Sequence, residues 1–286
     1  MKAPDFEYVK VASLDEAFGE LERRGESAQI ISGGQSLMAM LNLRLAAPSC
    51  LVDISALPGL GEIRRDGGVV RVGALVTHRQ LGDSAEIAAS VPLLAQAVPH
   101  VAHLAIRNAG TVGGSLALAD PAAEYPAVAL ALEATIVVHG AKGVRRIAAA
   151  DFFEGFYRTA RQPQEILVGV EFPVRRPAER AHFSELARRR GDYAMVGLAA
   201  LLELERGVVA RSRLAFLAMG DRPMLAASAM AALQGRAPDA AAVRAAQDAL
   251  AKDLEPSGDL QADPATKMHL ARVLLGRAIE QLRQST

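Results

Sequence analysis

The chain has 286 residues, of which 51% are hydrophobic and 22% charged, and its formal net charge at pH 7 is +0. This length allows two domains with their own cores, because domains typically run to about 100–150 residues. The lack of a basic excess argues against a nucleic-acid partner, and no uninterrupted apolar run reaches the roughly 18 residues of a spanning helix. The amino terminus has no apolar signal core, which predicts a cytoplasmic protein.

The single cysteine limits the redox chemistry that this chain can carry. Cys50 can form no internal disulfide, and an iron–sulfur cluster normally takes four cysteine ligands. Any one-electron relay is therefore expected on a partner chain. Cys50 itself lies in the apolar segment SCLVDIS, where a buried strand residue is expected in preference to a nucleophile.

The first 55 residues predict a small lobe in which strands and helices alternate. A strand in FEYVKVAS precedes a helix that begins with the capping spacing of Ser13 and Glu16 and stops at Gly25. A second strand covers residues 28–31, and LMAMLNLRLAAP then has helical spacing up to Pro48. The segment CLVDIS predicts the third strand.

A paired-glycine turn, SGGQS at residues 32–36, joins the second strand to the second helix. Paired glycines let backbone N–H groups approach a ligand with no Cβ in the way, and a helix N-terminus adds partial positive charge. The turn can therefore hold a phosphate. Gly-Gly turns are common, so a turn without a ligand is the alternative explanation of this segment taken alone.

Residues 56–175 predict a second, larger lobe. Asp66-Gly67-Gly68 is a hairpin turn, and Thr77 with Gln80 predicts a capped helix start. The remaining elements are a helix in PLLAQAVPHVAH, a strand in EATIVVHG, a short helix or loop in DFFEGFYRT and an alternating strand in EILVGVEFP.

This second lobe contains another paired-glycine turn, in AIRNAGTVGGSLALADP. Gly110, Gly113 and Gly114 flank Thr111 and Ser115, whose hydroxyls can hydrogen bond phosphate oxygens beside the glycine N–H groups. Two such turns, one in each lobe, suit a ligand with two phosphates. They do not match G-x-G-x-x-G because the glycines are paired, and no βαβ run of parallel strands is expected to follow. The sequence therefore does not predict a Rossmann domain.

The last third of the chain predicts a separate domain, and the Arg/Pro-rich segment FPVRRPAER is its linker. Three strands are expected in AHFSELARR, AMVGLAALLELE and VVARSRLAFLAM, the last two joined at Arg206-Gly207. Three helices follow, in PMLAASAMAALQG, DAAAVRAAQDALAKDL and PATKMHLARVLLGRAIEQLRQ.

The two glycine motifs, in this order, carry a family resemblance. SGGQSLMAMLNLRL together with IRNAGTVGGSLALADPAAEYP resembles the FAD-binding medium subunits of the molybdenum hydroxylases, which include the carbon monoxide dehydrogenase and xanthine dehydrogenase flavin subunits. The likeness covers nearly the whole chain, including GDYAMVG. It implies an α+β fold, with a two-lobed FAD-binding domain of the vanillyl-alcohol-oxidase type over 1–175 (lobes about 1–55 and 56–175). A smaller domain over 180–286 then has a three-stranded antiparallel sheet and helices.

The resemblance also implies which residues contact FAD. The pyrophosphate is expected on the two glycine turns, and Glu124 stands where relatives often have an Asp that contacts the cofactor. Ile166 and Leu167 fall where an apolar side chain packs on the isoalloxazine, and Tyr193 matches an aromatic beside the ring. The expected FAD contacts are Ile31, Ser32, Gly33, Gly34, Gln35, Ser36, Leu37, Gly110, Thr111, Gly113, Gly114, Ser115, Ala117, Glu124, Ile166, Leu167 and Tyr193.

The sequence departs from the family pattern at two places. The second turn ends in Ser115 where relatives often have Asn or Asp, and Ser184 and Glu185 lie near a position where many carry Lys. Both departures concern the strength of flavin binding and not the fold.

The histidines and an arginine run define no further site. His100 and His103 are spaced i, i+3 on an expected helix, which a metal can use, but no third ligand accompanies them, and buried or capping roles are the alternative. His78 and His139 have turn explanations. Arg188-Arg189-Arg190 can contact FAD phosphates or a partner, or form a solvated edge. We expect no catalytic side chain and no metal ligand in this chain.

The function that the resemblance implies is electron transfer within a cytoplasmic heterotrimer. Electrons come from iron–sulfur clusters of a small subunit, which receives them from a molybdenum centre on a large subunit. FAD on this chain collects them and passes them to an external acceptor, while the molybdenum cofactor and the clusters stay on the partner chains. The alternatives are a stand-alone flavoenzyme of the same fold and a scaffold subunit that has lost FAD.

Overall fold

In the computed structural model, which describes residues 2–284, the chain begins with three strands and two helices that alternate. These are β1 (Glu7–Lys10), α1 (Leu14–Arg24), β2 (Ala28–Ile31), α2 (Leu37–Asn42) and β3 (Cys50–Asp53). The strands form one sheet in the order β1-β3-β2, and β3 pairs in parallel with both neighbours.

The expectation that no parallel βαβ run accompanies the glycine turns is wrong for this first lobe. Each helix returns the chain to the same end of the sheet, and this makes consecutive strands parallel. The first glycine turn lies between β2 and α2, inside the second βαβ unit. The helix after it is also shorter than expected, because the chain leaves the helical conformation at Arg44, where φ is +57°.

The second lobe is built on a five-stranded antiparallel sheet. Its strands are β4 (Ile63–Asp66), β5 (Val69–Gly73), β6 (Thr135–Gly140), β7 (Gly143–Ala148) and, after the small hairpin of β8 (Phe153–Gly155) and β9 (Arg158–Thr159), β10 (Ile166–Pro173). They lie in the order β4-β5-β10-β6-β7. The hairpin predicted at Asp66-Gly67-Gly68 is confirmed, with Gly67 at φ +59°.

The helices of this lobe lie between β5 and β6, apart from a short one after β7. They are α3 (His78–Gly82), α4 (Ala85–Ser90), α5 (Pro92–Ala97), α6 (Leu104–Arg107), α7 (Val112–Leu118), α8 (Glu124–Ala131) and α9 (Ala149–Phe152). The reciprocal cap predicted for Thr77 and Gln80 is present at the start of α3. The helix expected through His103 is interrupted, because α5 ends at Ala97 and a 3-10 turn with Pro99 in it follows.

The C-terminal part packs helices on a second antiparallel sheet. Its strands are β11 (Glu179–Leu186), β12 (Val196–Glu205), β13 (Val208–Leu217) and β14 (Met224–Leu225), paired in that order. Its helices are α10 (Ala227–Leu233), α11 (Ala240–Ala249) and α12 (Pro264–Gln284). The three predicted strands are confirmed, and the two-residue strand β14 adds an edge to them.

Strand β12 is buried on both faces, which explains its continuous apolar run. Ala199 and Leu201 belong to the core of the second lobe, whereas Leu198 and Ala200 belong to the core under α10–α12. Alternate residues of a strand point to opposite faces, so one sheet holds the two cores together. Of the helices within residues 2–284, none combines the length and the apolar character needed to cross a membrane.

Candidate cofactor-binding cleft

A cleft of about 620 Å³ lies where the first lobe faces the second. Its lining comes from the segment after β2, the segments before and after α7, the start of β10 and the segment before β12. The cleft brings together every residue expected to contact FAD. These residues are Ile31, Ser32, Gly33, Gly34, Gln35, Ser36, Leu37, Gly110, Thr111, Gly113, Gly114, Ser115, Ala117, Glu124, Ile166, Leu167 and Tyr193.

The two glycine turns meet side by side in this cleft. The Ser32 hydroxyl oxygen lies 3.0 Å from the Thr111 hydroxyl oxygen, in a hydrogen bond between the lobes. A Cβ on Gly33 would lie 2.1 Å from the carbonyl oxygen of Ala109. Glycine is therefore required at position 33 because the second turn packs against it. This differs from the sequence-based reason, which assigned that space to a phosphate.

The first turn offers a row of unused backbone donors. Within the described chain, the N–H groups of residues 33–37 donate to no protein acceptor, and Met38 is the first residue of the turn whose N–H bonds within the helix, to the Gly34 carbonyl at 3.0 Å. Gly34 has a φ of +69°, a conformation that favours glycine. Adjacent N–H groups left free at a cleft form a concave site for an anion.

The second turn does not offer its glycine N–H groups, contrary to the expectation from the sequence. Gly113 donates to the Ala74 carbonyl at 2.9 Å, and Gly114 donates to the Thr111 hydroxyl oxygen at 3.1 Å as the N-terminal cap of α7. This turn instead contributes the side chains of Thr111 and Ser115 to the cleft. N–H donors from one turn and hydroxyls from the other form a donor set that suits a diphosphate.

The wall formed by the start of α8 carries carboxyl groups. Burial, together with the negative charges of Glu185 and Asp120, raises the pKa of Glu124 to about 8. Asp120 is buried, where its carboxylate accepts the Ala122 N–H at 2.9 Å and the Tyr157 hydroxyl at 3.3 Å. At neutral pH the Glu124 side chain is therefore mainly a neutral acid that can donate a proton or a hydrogen bond.

The apolar contacts expected from the resemblance lie elsewhere in the cleft. Ile166 and Leu167 are buried at the start of β10, and their exposure is 1% and 4%. Tyr193 is 65% exposed and stands in the lining between β11 and β12. A planar ring system in the cleft would have aliphatic side chains and an exposed aromatic side chain to pack on.

The structure adds lining residues that the sequence analysis did not connect with a cofactor. His78, Asp120, Tyr157 and Arg161 all border the cleft. Arg161 donates to the carbonyl oxygen of Glu165 at 2.7 Å, and burial lowers the pKa of its guanidinium. No local pattern marks these four positions, because their place in the cleft follows from the packing of distant segments.

His78 is the most buried of these side chains and lies directly under the second turn. Its side chain would be 2.8 Å from a Cβ at Gly110, and its ring centroid lies 5.2 Å from that of Tyr125. Among the described residues no hydrogen-bond partner reaches its Nδ1. Burial and the nearby charge of Arg107 lower the pKa of His78 to about 4. The imidazole is therefore neutral at pH 7.

The other residues weighed from the sequence lie outside this cleft. Cys50 is confirmed as a buried strand residue with 0% exposure, and burial raises the pKa of its thiol. His100 and His103 do not share a helix: His100 pairs with Glu185, and His103 lies against Gly191. In the part of the chain that the structure describes, no cluster of three or more His, Cys, Asp or Glu side chains is arranged to hold a metal ion.

Comparison with known proteins identifies the family. Residues 4–175 match the FAD binding domain in molybdopterin dehydrogenase, and residues 181–282 match the CO dehydrogenase flavoprotein C-terminal domain. The 6-hydroxypseudooxynicotine dehydrogenase complex subunit alpha of Paenarthrobacter nicotinovorans is 36% identical over 98% of this chain and 95% of its own length.

Two further relatives agree with that identification. The carbon monoxide dehydrogenase medium chain of Hydrogenophaga pseudoflava is 34% identical, with coverage of 98% of this chain and 97% of that protein. The solved quinoline 2-oxidoreductase of Pseudomonas putida 86 contains a chain that superimposes with a TM-score of 0.94 at 40% identity over 99% of both chains. The protein therefore belongs to the family of FAD-binding medium subunits of the molybdenum hydroxylases, and it is an oxidoreductase flavoprotein subunit.

Proposed function

We propose that this chain binds FAD in the cleft between its lobes and transfers electrons from iron–sulfur clusters of a small partner subunit to an external acceptor. The observation that carries the proposal is the convergence of the two glycine turns, joined by the Ser32–Thr111 hydrogen bond at 3.0 Å. This contact places the free N–H groups of one turn beside the hydroxyls of the other.

Each part of the cleft has a proposed role in holding the cofactor. The N–H groups of residues 33–37, which have no acceptor within the described chain, would receive one phosphate, and the Thr111 and Ser115 hydroxyls would bind the other. Ile166, Leu167 and Tyr193 would pack on the flavin ring. Glu124 would donate a hydrogen bond as a neutral acid, since its pKa is raised to about 8.

The side chains of this chain indicate which cofactors must be held by other subunits. FAD accepts electrons singly or in pairs, so when bound it supplies the step between one-electron donors and a two-electron acceptor. Cys50 is the only thiol and lies in the core of the first lobe, so this chain has no ligand set for an iron–sulfur cluster. The clusters and the molybdenum cofactor are therefore proposed for small and large partner subunits. The names of two relatives, a complex subunit alpha and a medium chain, support the presence of such partners.

The test is to purify the chain under native conditions and measure its visible absorbance and its partners. We expect the absorbance of an oxidised flavin, and co-purification of a cysteine-rich small chain and a large chain. A colourless protein that takes up no added FAD would contradict the proposal and indicate a scaffold subunit that has lost FAD. Yellow protein that purifies alone and reduces a substrate directly would instead establish a stand-alone flavoenzyme.

A further inference from the structure

Arg161 is the only Arg or Lys among the described residues that line the cleft. The lining contains one histidine, His78, which is neutral at pH 7, and its carboxyl groups are those of Asp120, Glu124 and Asp192. A single fixed cation in a cleft that suits an anionic cofactor is a counter-charge for one negative group of that cofactor.

The Arg161 guanidinium is held by the loop that precedes β10. Its Nη1 donates to the carbonyl oxygens of Glu165 at 2.7 Å, Gln162 at 3.1 Å and Pro163 at 3.4 Å. Its Nε and Nη2 donate to no acceptor among residues 2–284. Because Ile166 follows Glu165 directly, these bonds keep the positive charge beside the apolar start of β10.

No carboxylate of the described chain forms an ion pair with Arg161. The neighbouring acid, Glu165, is engaged by Arg145, whose Nε and Nη2 donate to its two oxygens at 2.6 and 2.7 Å. The charge of Glu165 acts on Arg161, but burial outweighs it and lowers the pKa of the guanidinium. Partial burial of an unpaired cation costs free energy, which a negative group of a ligand would offset.

We propose that Arg161 stabilises the negative charge that the flavin ring gains on reduction. The inference rests on the proposed function, in which Ile166 and Leu167 pack on that ring. Two electrons from the iron–sulfur clusters and one proton from solvent convert the neutral oxidised ring into a reduced ring with one negative charge. A cation held at the start of β10 favours the charged form, so it raises the reduction potential of bound FAD.

Substitutions in the full, FAD-loaded chain test the role of the charge. Arg161→Gln removes the charge and keeps an amide that can donate to the loop carbonyls, whereas Arg161→Lys keeps the charge. Arg158→Gln is the matched control, because this arginine of β9 is 76% exposed at its side chain and does not line the cleft. Equilibration with a redox dye measures the reduction potential, and titration measures affinity for FAD and for ADP, which has the diphosphate but no flavin.

We expect Arg161→Gln to shift the two-electron equilibrium at least tenfold toward oxidised FAD, which lowers the potential by about 30 mV. Arg161→Lys should keep most of the wild-type potential, Arg158→Gln should match the wild type, and all four proteins should bind ADP equally. A wild-type potential in Arg161→Gln, or equal potentials in the Gln and Lys variants, overturns the proposal. Equal losses of ADP and FAD affinity in Arg161→Gln also overturn it, because they assign the charge to the diphosphate.

The pH dependence of the potential tests the proposal on the unsubstituted chain. Between pH 5 and pH 6, free FAD takes up two protons with two electrons. Bound FAD that gains a negative charge takes up one, so its potential should change by about 30 mV per pH unit instead of about 59 mV. A slope equal to that of free FAD in the same buffers overturns the proposal. A chain that binds no added FAD contradicts the proposed function itself.

Discussion

The side-chain oxygens of Ser32 and Thr111 lie 3.0 Å apart although 79 positions separate them in the chain. Ser32 belongs to the turn after β2 in the first lobe, and Thr111 caps α7 in the second. The same Thr111 oxygen accepts the Gly114 N–H at 3.1 Å. A single hydroxyl thus connects the two lobes and fixes the start of the helix that borders the cleft.

Substitution at these two positions should separate the contact between the lobes from the helix cap. Thr111→Ala removes both interactions, so we expect the free energy of unfolding to fall by about 1 kcal/mol through the lost cap and FAD affinity to fall as well. Ser32→Ala removes only the contact between the turns. It should weaken FAD binding, with a smaller loss of stability than in Thr111→Ala. Urea unfolding and flavin fluorescence titration measure the two effects. Equal FAD affinity in Thr111→Ala and wild type would contradict the role of this hydroxyl.

Gly33→Ala should weaken FAD binding by forcing the two turns apart. The added Cβ would lie 2.1 Å from the Ala109 carbonyl oxygen, which is backbone and cannot rotate away. We expect a loss of about 1–3 kcal/mol in stability, the usual cost of overpacking, together with loss of FAD during gel filtration. Gly61→Ala is the matched control, since a Cβ there meets nothing within 4 Å. Full FAD retention in Gly33→Ala would show that the turns can separate without consequence.

The stability of the protein should depend on pH through His78. Its folded pKa of about 4 lies below the ordinary value of 6.5, so between these values the unfolded chain binds more protons and stability falls as pH decreases. Between pH 7 and pH 5, this protonation should lower the free energy of unfolding by about 2 kcal/mol. His78→Gln should lose this part of the dependence, whereas His139→Gln, at the end of β6, should keep it. Urea unfolding at pH 7 and pH 5 measures the free energy of unfolding at each pH. An equal loss of stability between these pH values in wild type and His78→Gln would refute the prediction.

The thiol of Cys50 should be inert in the folded protein. The side chain is fully buried, and its pKa is raised by that burial, so a thiol reagent should react only after denaturation. Cys50→Ala should retain FAD and electron transfer, with a loss of stability only from the smaller side chain. Modification of the native thiol within minutes, or a flavin-loaded Cys50→Ala variant without electron transfer, would assign Cys50 a role.

The amino-acid sequence by itself determined the local features of this protein. The reciprocal cap between Thr77 and Gln80, the hairpin at Gly67 and the glycine turn between β2 and α2 each form within a few residues of the chain. Such interactions depend on residue type and spacing, which can be read directly from the chain. The two glycine turns also indicated a ligand with two phosphates, and the family resemblance implied that this ligand is FAD.

Tertiary structure alone decided how these features combine. The parallel pairing of the first lobe, the loss of the Gly113 N–H to the Ala74 carbonyl, and the burial of His78 were not foreseen. Each depends on segments that are far apart in sequence, so their positions are set by packing and not by local propensity.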